Sequence, residues 1–146
     1  MRFLSAFFAL FMISGVAMAE EWITRESPHA VKQTVDQLTA AIEGAGATVV
    51  AVVDHSAAAK KAGLELAPST LVIFGNPKIG TPIMQDNIRA GLDLPIRVLV
   101  FEEGGKTMVG YLDPAVLQTR YGIKADNEAV KKMTGALMKL TDAAIK

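Results

Sequence analysis

The chain alternates between short β-branched runs and stretches in which apolar residues recur every third or fourth position. Val31, Val35, Leu38 and Ile42 form the stripe of an amphipathic helix. Ser27-Pro28 supplies its start signal, with serine as cap and proline where its missing N–H costs nothing, and Gly44 and Gly46 stop it. Glu21–Arg25 ahead of it is a candidate short strand. Thr48–Val53 is β-branched and apolar almost throughout; it reads as a central strand ending on Asp54-His55-Ser56. Ala57–Leu64 predicts a brief helix closed by Gly63, Thr70–Phe74 a strand, and Ile83–Ala90 a helix opened by Thr81-Pro82 and ended by Gly91. Strands Ile96–Phe101 and Thr107–Leu112 flank Glu102–Lys106, whose paired glycines have the turn chemistry of a hairpin. Asp113-Pro114 opens a helix through Arg120 that Gly122 ends. The last helix starts near Asp126-Asn127, with Val130, Met133, Leu137 and Leu140 on one stripe and Lys131, Lys132 and Lys139 off it. This order favours an α+β fold in two layers, a mainly antiparallel sheet with helices packed on one face. The alternative, a doubly wound α/β fold, needs a βαβ alternation that fails after Phe101.

The N-terminus changes the picture of where this domain works. Arg2, the apolar run Phe3–Ile13 and Ala17-Met18-Ala19 form the basic, apolar and small-residue parts of a secretory signal peptide. The run is short for a membrane span and no basic stop-transfer segment follows it. The expectation is cleavage after residue 19, no membrane association afterwards, and a single periplasmic domain over residues 20–146 that includes the C-terminal helix. Among 146 residues, Lys and Arg number 15 and Asp and Glu 15, so nothing in the charge balance suits a nucleic acid or an anionic membrane. Cysteine is absent, which excludes disulfides, thiolate chemistry and thiolate-held clusters.

Candidate chemistry concentrates between Asp54 and Tyr111. Gly75-Asn76-Pro77-Lys78-Ile79-Gly80-Thr81 follows a strand and precedes a helix, as a phosphate-binding G-x-x-x-x-G-K-[ST] loop does. Thr81 stands where the lysine should be, and Pro77 removes a backbone donor, so nucleotide hydrolysis is not expected. What survives is an anion held by free N–H groups near Gly80 with Lys78 close by, against a plain strand-to-helix connection. His55 is the titratable candidate, as a loop-bonded histidine or a general base. No His pairing with metal-ligand spacing is present, and no metal is expected. Tyr111 could reach a cleft or lie in the core. Ser56 lacks the glycines of a nucleophile elbow and a third partner.

Asp54-His55-Ser56, Ala62-Gly63-Leu64-Glu65-Leu66-x-Pro68, Phe74-Gly75-Asn76-Pro77-Lys78-x-Gly80-Thr81-Pro82, Leu94-Pro95 and Tyr111-x-x-Pro114 together resemble the domain of unknown function 302 family, over about residues 22–123. The resemblance implies a TATA-box-binding-protein-like sheet with helices on one side, commonly in a homodimer, and no assigned activity, substrate or cofactor. Its signature falls here on Asp54, His55, Phe74, Asn76, Pro77, Gly80, Thr81 and Tyr111. The expectation is a periplasmic ligand-binding or accessory protein with a pocket for a small polar or anionic ligand. His55, Asn76, Lys78, Gly80, Thr81 and Tyr111 are its candidate residues. The alternatives are an enzyme with His55 as general base and Gly80 N–H as oxyanion donor, or a structural dimer without a ligand.

Overall fold

The structure, a computed structural model, describes residues 21–146. The signal-peptide reading of residues 1–19 lies outside the described residues. In chain order the elements are β1 (Trp22–Ser27), α1 (Val31–Gly44), β2 (Thr48–Asp54), α2 (His55–Lys61), β3 (Ser69–Gly75), α3 (Pro77–Asp86), a 3-10 turn (Ile88–Leu92), β4 (Ile96–Glu103), β5 (Lys106–Leu112), α4 (Ala115–Tyr121) and α5 (Glu128–Ala144). The five strands pair antiparallel throughout, in the order β1-β5-β4-β3-β2. This is the expected α+β architecture.

Strand alternation sorts the side chains onto two faces. Val72 and Phe74, Val98 and Val100, and Val109 and Tyr111 point to the covered face and are buried against the stripes of α1 and α5. Both predicted stripes are buried, and Asn127 caps α5 by accepting the N–H groups of Ala129 and Val130 at 2.9 and 3.2 Å. The opposite face carries Leu71, Leu99, Phe101, Met108 and Leu112, none of them buried. The Trp22 ring packs against Gly110 on this face, and its centroid is 6.4 Å from that of Phe101.

Several local expectations change. Thr48–Asp54 is an edge strand rather than a central one, because β1 and β2 close the two sides of the sheet. Val50 and Val52 are 60% and 49% exposed in consequence. Helix α1 starts at Val31, not at Pro28, and its Ncap Ala30 makes no side-chain cap. Ser27 is buried instead, with its hydroxyl 2.8 Å from that of Thr34. The carboxylate of Asp142 on α5 pairs with Arg25 and ties β1 to the last helix. Helix α2 begins two residues early, at His55, since Asp54 caps it.

Candidate functional site

The stretch expected to be a loop is the first half of a helix. Asn76 is its Ncap, accepting the Lys78 N–H at 2.9 Å, and Pro77 takes the first helical position. Helix α3 therefore starts four residues before Thr81, and Pro82 lies inside it. The change removes the proposed anion cradle. The Gly80 N–H donates to the Asn76 carbonyl at 3.0 Å, and the Ile79 N–H donates to the same oxygen at 2.9 Å. A backbone donor already bonded within the helix cannot serve as an oxyanion or phosphate donor without breaking that turn.

What α3 does build is a cavity of about 550 Å³, open on one side. Its wall takes Ala45, Ala47, Thr48 and Val50 from the α1–β2 junction, and Phe74 through Pro77, Ile79, Gly80, Thr81 and Met84 from β3 and α3. Leu94, Pro95 and Ile96 close one side, and Met133, Ala136, Leu137 and Leu140 of α5 form the floor. Only Thr48, Asn76 and Thr81 bring polar side chains to it. Gly75 packs closely in the wall: a Cβ there would stand 3.3 Å from the Pro95 Cβ, tighter than ordinary contact. Of the sequence candidates, Asn76, Gly80 and Thr81 line the cavity; His55, Lys78 and Tyr111 do not.

His55 and Asn76 are held apart by strand direction. Register pairs Asp54 with Thr70 and Thr48 with Gly75, so His55 adjoins the start of β3 and Asn76 its end. The seven residues of β2 separate them, roughly 20 Å at ~3.3 Å per residue. His55 is exposed and lines a hollow with Trp22, Leu71, Arg97 and Leu99. The single pocket joining the two groups does not exist, and neither does the pairing that a His55 general base needed with Gly80. Asp54 works locally. Its carboxylate accepts the Ser56 hydroxyl at 2.6 Å and the Ala57 N–H at 2.8 Å, and these two bonds hold its pKa below the usual carboxylate value. Tyr111 is buried in the covered core, where burial raises its pKa and the Thr141 hydroxyl is its neighbour. It lies in the core rather than in a cleft.

Periodicity and motif reading overlooked one polar cluster. Asp93 accepts from Arg97 at 2.9 Å, and from Arg120 and the Tyr121 hydroxyl at 2.7 Å each. Its side chain is 13% exposed. Burial alone would raise its pKa, but the bonds from Tyr121 and Arg120 and the two guanidinium charges outweigh it and hold Asp93 below its ordinary value. The same bond raises the pKa of Tyr121. The cluster joins the turn before β4 to the end of α4, and Glu21 approaches Arg120 at 3.7 Å. Three donors from separate side chains converge on one carboxylate, which is the arrangement of a clamp rather than of a free site. Among the described residues, no group of three or more His, Asp or Glu side chains could hold a metal ion.

A protein-family profile described as Domain of unknown function DUF302 matches residues 23–140. A crystal structure of an uncharacterized conserved DUF302 protein from Bacillus stearothermophilus superposes with a TM-score of 0.79 at 20% identity, covering 88% of this chain and all (100%) of that one. That likeness speaks for the fold. Two curated relatives, each named Fluoride-specific ion channel FluC 1, come from Brucella suis and Brucella abortus. Each is 44% identical over 122 residues, covering 80% of this chain but 48% and 45% of theirs. The chain thus spans about half the length of the curated relatives it matches. No helix among the described residues is long and apolar enough to cross a membrane.

Proposed function

This chain belongs to the DUF302 family, and we propose that it is a small-ligand-binding accessory module, exported to the periplasm and working as a homodimer. The observation that carries the reading is the cavity of about 550 Å³. Its size falls within the range of small-molecule sites, roughly 300–1,000 Å³. It is assembled from four separate parts of the chain. The polar or anionic ligand expected from the sequence suits it poorly, because its wall is almost wholly apolar.

The homodimer reading is supported by the open sheet face. Its apolar residues have no covering layer, and five strands about 4.8 Å apart and roughly 20 Å long offer on the order of 500 Å² per copy. Two such faces together reach about 1,000 Å², the lower bound of a specific interface. Native mass spectrometry of protein taken from its own periplasm tests the ligand reading. A small molecule should be retained, and it should be lost in Ala136→Phe, which fills the cavity. Bare polypeptide in both samples refutes it.

A second reading follows from the names of the relatives. Proteins about twice as long, named as fluoride-specific ion channels, contain a stretch 44% identical to this chain. The domain would then serve beside a membrane channel. Deleting it should lower the fluoride concentration that cells survive; unchanged tolerance removes this reading.

A further inference from the structure

Resting on the ligand-binding reading, we infer that the cavity takes a neutral amphiphile, an unbranched apolar body with one hydrogen-bond-accepting head such as a carbonyl oxygen. The argument begins with the distribution of polar atoms. Of the three polar side chains of the wall, Thr48 and Asn76 sit where β2 begins and β3 ends, and Thr81 stands one turn into α3. The α5 part of the wall is Met133, Leu137 and Leu140, one buried stripe, with Ala136 beside it. The wall from β2, β3 and α3 therefore offers side-chain hydrogen bonds, and the wall from α5 offers none.

The Asn76 amide fixes the sense of the head. Its oxygen is already committed to the Lys78 N–H. Its NH₂ makes no side-chain hydrogen bond among the described residues, and Asn76 is half-buried in the cavity wall, so a bound acceptor would take the place of water at this donor. A carboxylate head is disfavoured because no cationic side chain lines the cavity, and an unpaired charge taken from water into an apolar wall is costly. Size follows from volume. At about 30 Å³ per water-sized group, a cavity of 550 Å³ holds at most roughly eighteen such groups. With one side open, a body of about ten carbons is the fit. Met84 and Met133, flexible and polarizable, let the wall close around such a chain.

The test uses the chain with its methionine methyl groups labelled with carbon-13 and titrated with 2-decanone, decanoate and citrate. Met84 and Met133 line the cavity, whereas Met108 lies on the open sheet face and Met138 is exposed on α5. The expected result is saturable movement of the Met84 and Met133 signals by 2-decanone, with Met108 and Met138 still. Decanoate should bind at least tenfold more weakly. Asn76→Asp keeps the helix-capping acceptor and removes the NH₂ donor, and should weaken 2-decanone binding about fivefold, the worth of one neutral hydrogen bond. Ala136→Phe should abolish it. Binding of citrate but not 2-decanone at Met84 and Met133 overturns the amphiphile and leaves the ligand-binding reading standing. Equal movement of all four signals means surface adsorption and overturns the inference, and no movement with any probe overturns both.

Discussion

Replacing Gly110 by alanine should unseat Trp22 and be readable by fluorescence, because Trp22 is the only tryptophan of the chain. A Cβ built on Gly110 would collide with Cζ2 of the indole and lie 2.8 Å from Cη2 and 2.9 Å from Cε2, all far inside contact distance. The Gly110 backbone is not in the left-handed region, so alanine meets no obstacle there except the ring. Trp22 keeps 39% of its surface in water and can swing outward. The hidden remainder is about 150 Å², of the ~250 Å² a tryptophan can bury. If about two-thirds of that is lost, the cost at ~25 cal/mol per Å² is about 2.5 kcal/mol. Loss of the Phe101 contact adds about 0.5 kcal/mol or more. Exchange of glycine for alanine in a strand returns roughly 0.5–1 kcal/mol. The net expectation is a loss of about 2 kcal/mol, with tryptophan emission moved toward that of indole in water. Urea unfolding followed by circular dichroism measures the first quantity, and the emission spectrum of the folded state the second. A Gly110→Ala variant with unshifted emission and an unchanged midpoint would refute the stacking argument.

Asn76→Ala should destabilise the chain by about 1 kcal/mol through the lost cap of α3, while exposed His55→Ala should change stability by less than about 0.5 kcal/mol; thermal unfolding of the two variants separates a positional role from a surface one. Asp93→Asn should cost on the order of 1–2 kcal/mol at neutral pH, allowing for partial solvent access to the cluster. Because the folded pKa of Asp93 is depressed, its contribution is fully present above the unfolded carboxylate pKa, about 4, and is lost as pH falls through the folded value. The stability gap between the Asp93→Asn variant and the native protein should therefore close on acidification, and a gap independent of pH would contradict the clamp. Leu112→Lys places a charge on the open sheet face beside Trp22 and should shift the mass in sedimentation equilibrium from dimer to monomer without lowering the unfolding temperature by more than a few degrees. A native protein that is itself monomeric at micromolar concentration removes the dimer proposal.

Some features of the fold were legible because they depend on neighbours in sequence. The stripes of α1 and α5, the Gly104-Gly105 hairpin with both glycines at positive φ, the Asn127 cap and the Asp113 carboxylate that accepts the Ala115 N–H need only residues a few positions apart. Helix starts were misread where two signals competed. Thr81-Pro82 resembles a cap and proline, but Asn76-Pro77 offers the same pair one turn earlier with a stronger cap. Ser27-Pro28 resembles a cap as well, but the Ser27 hydroxyl is spent on Thr34 in the core.

The sequence alone therefore determined the family, the α+β class and which faces of α1 and α5 are apolar, because periodicity and motif are properties of contiguous residues. Tertiary structure decided that β2 is an edge, that His55 and Asn76 stand at opposite ends of a strand pair, and that Asp93 collects Arg97, Arg120 and Tyr121. It also decided the cavity, whose walls run from Ala45 to Leu140 and share no spacing that a linear pattern could reveal. The physical reason is long-range pairing and packing: antiparallel register sets the ends of one strand pair at far ends of the sheet, and burial of the α5 stripe brings it under residues far earlier in the chain.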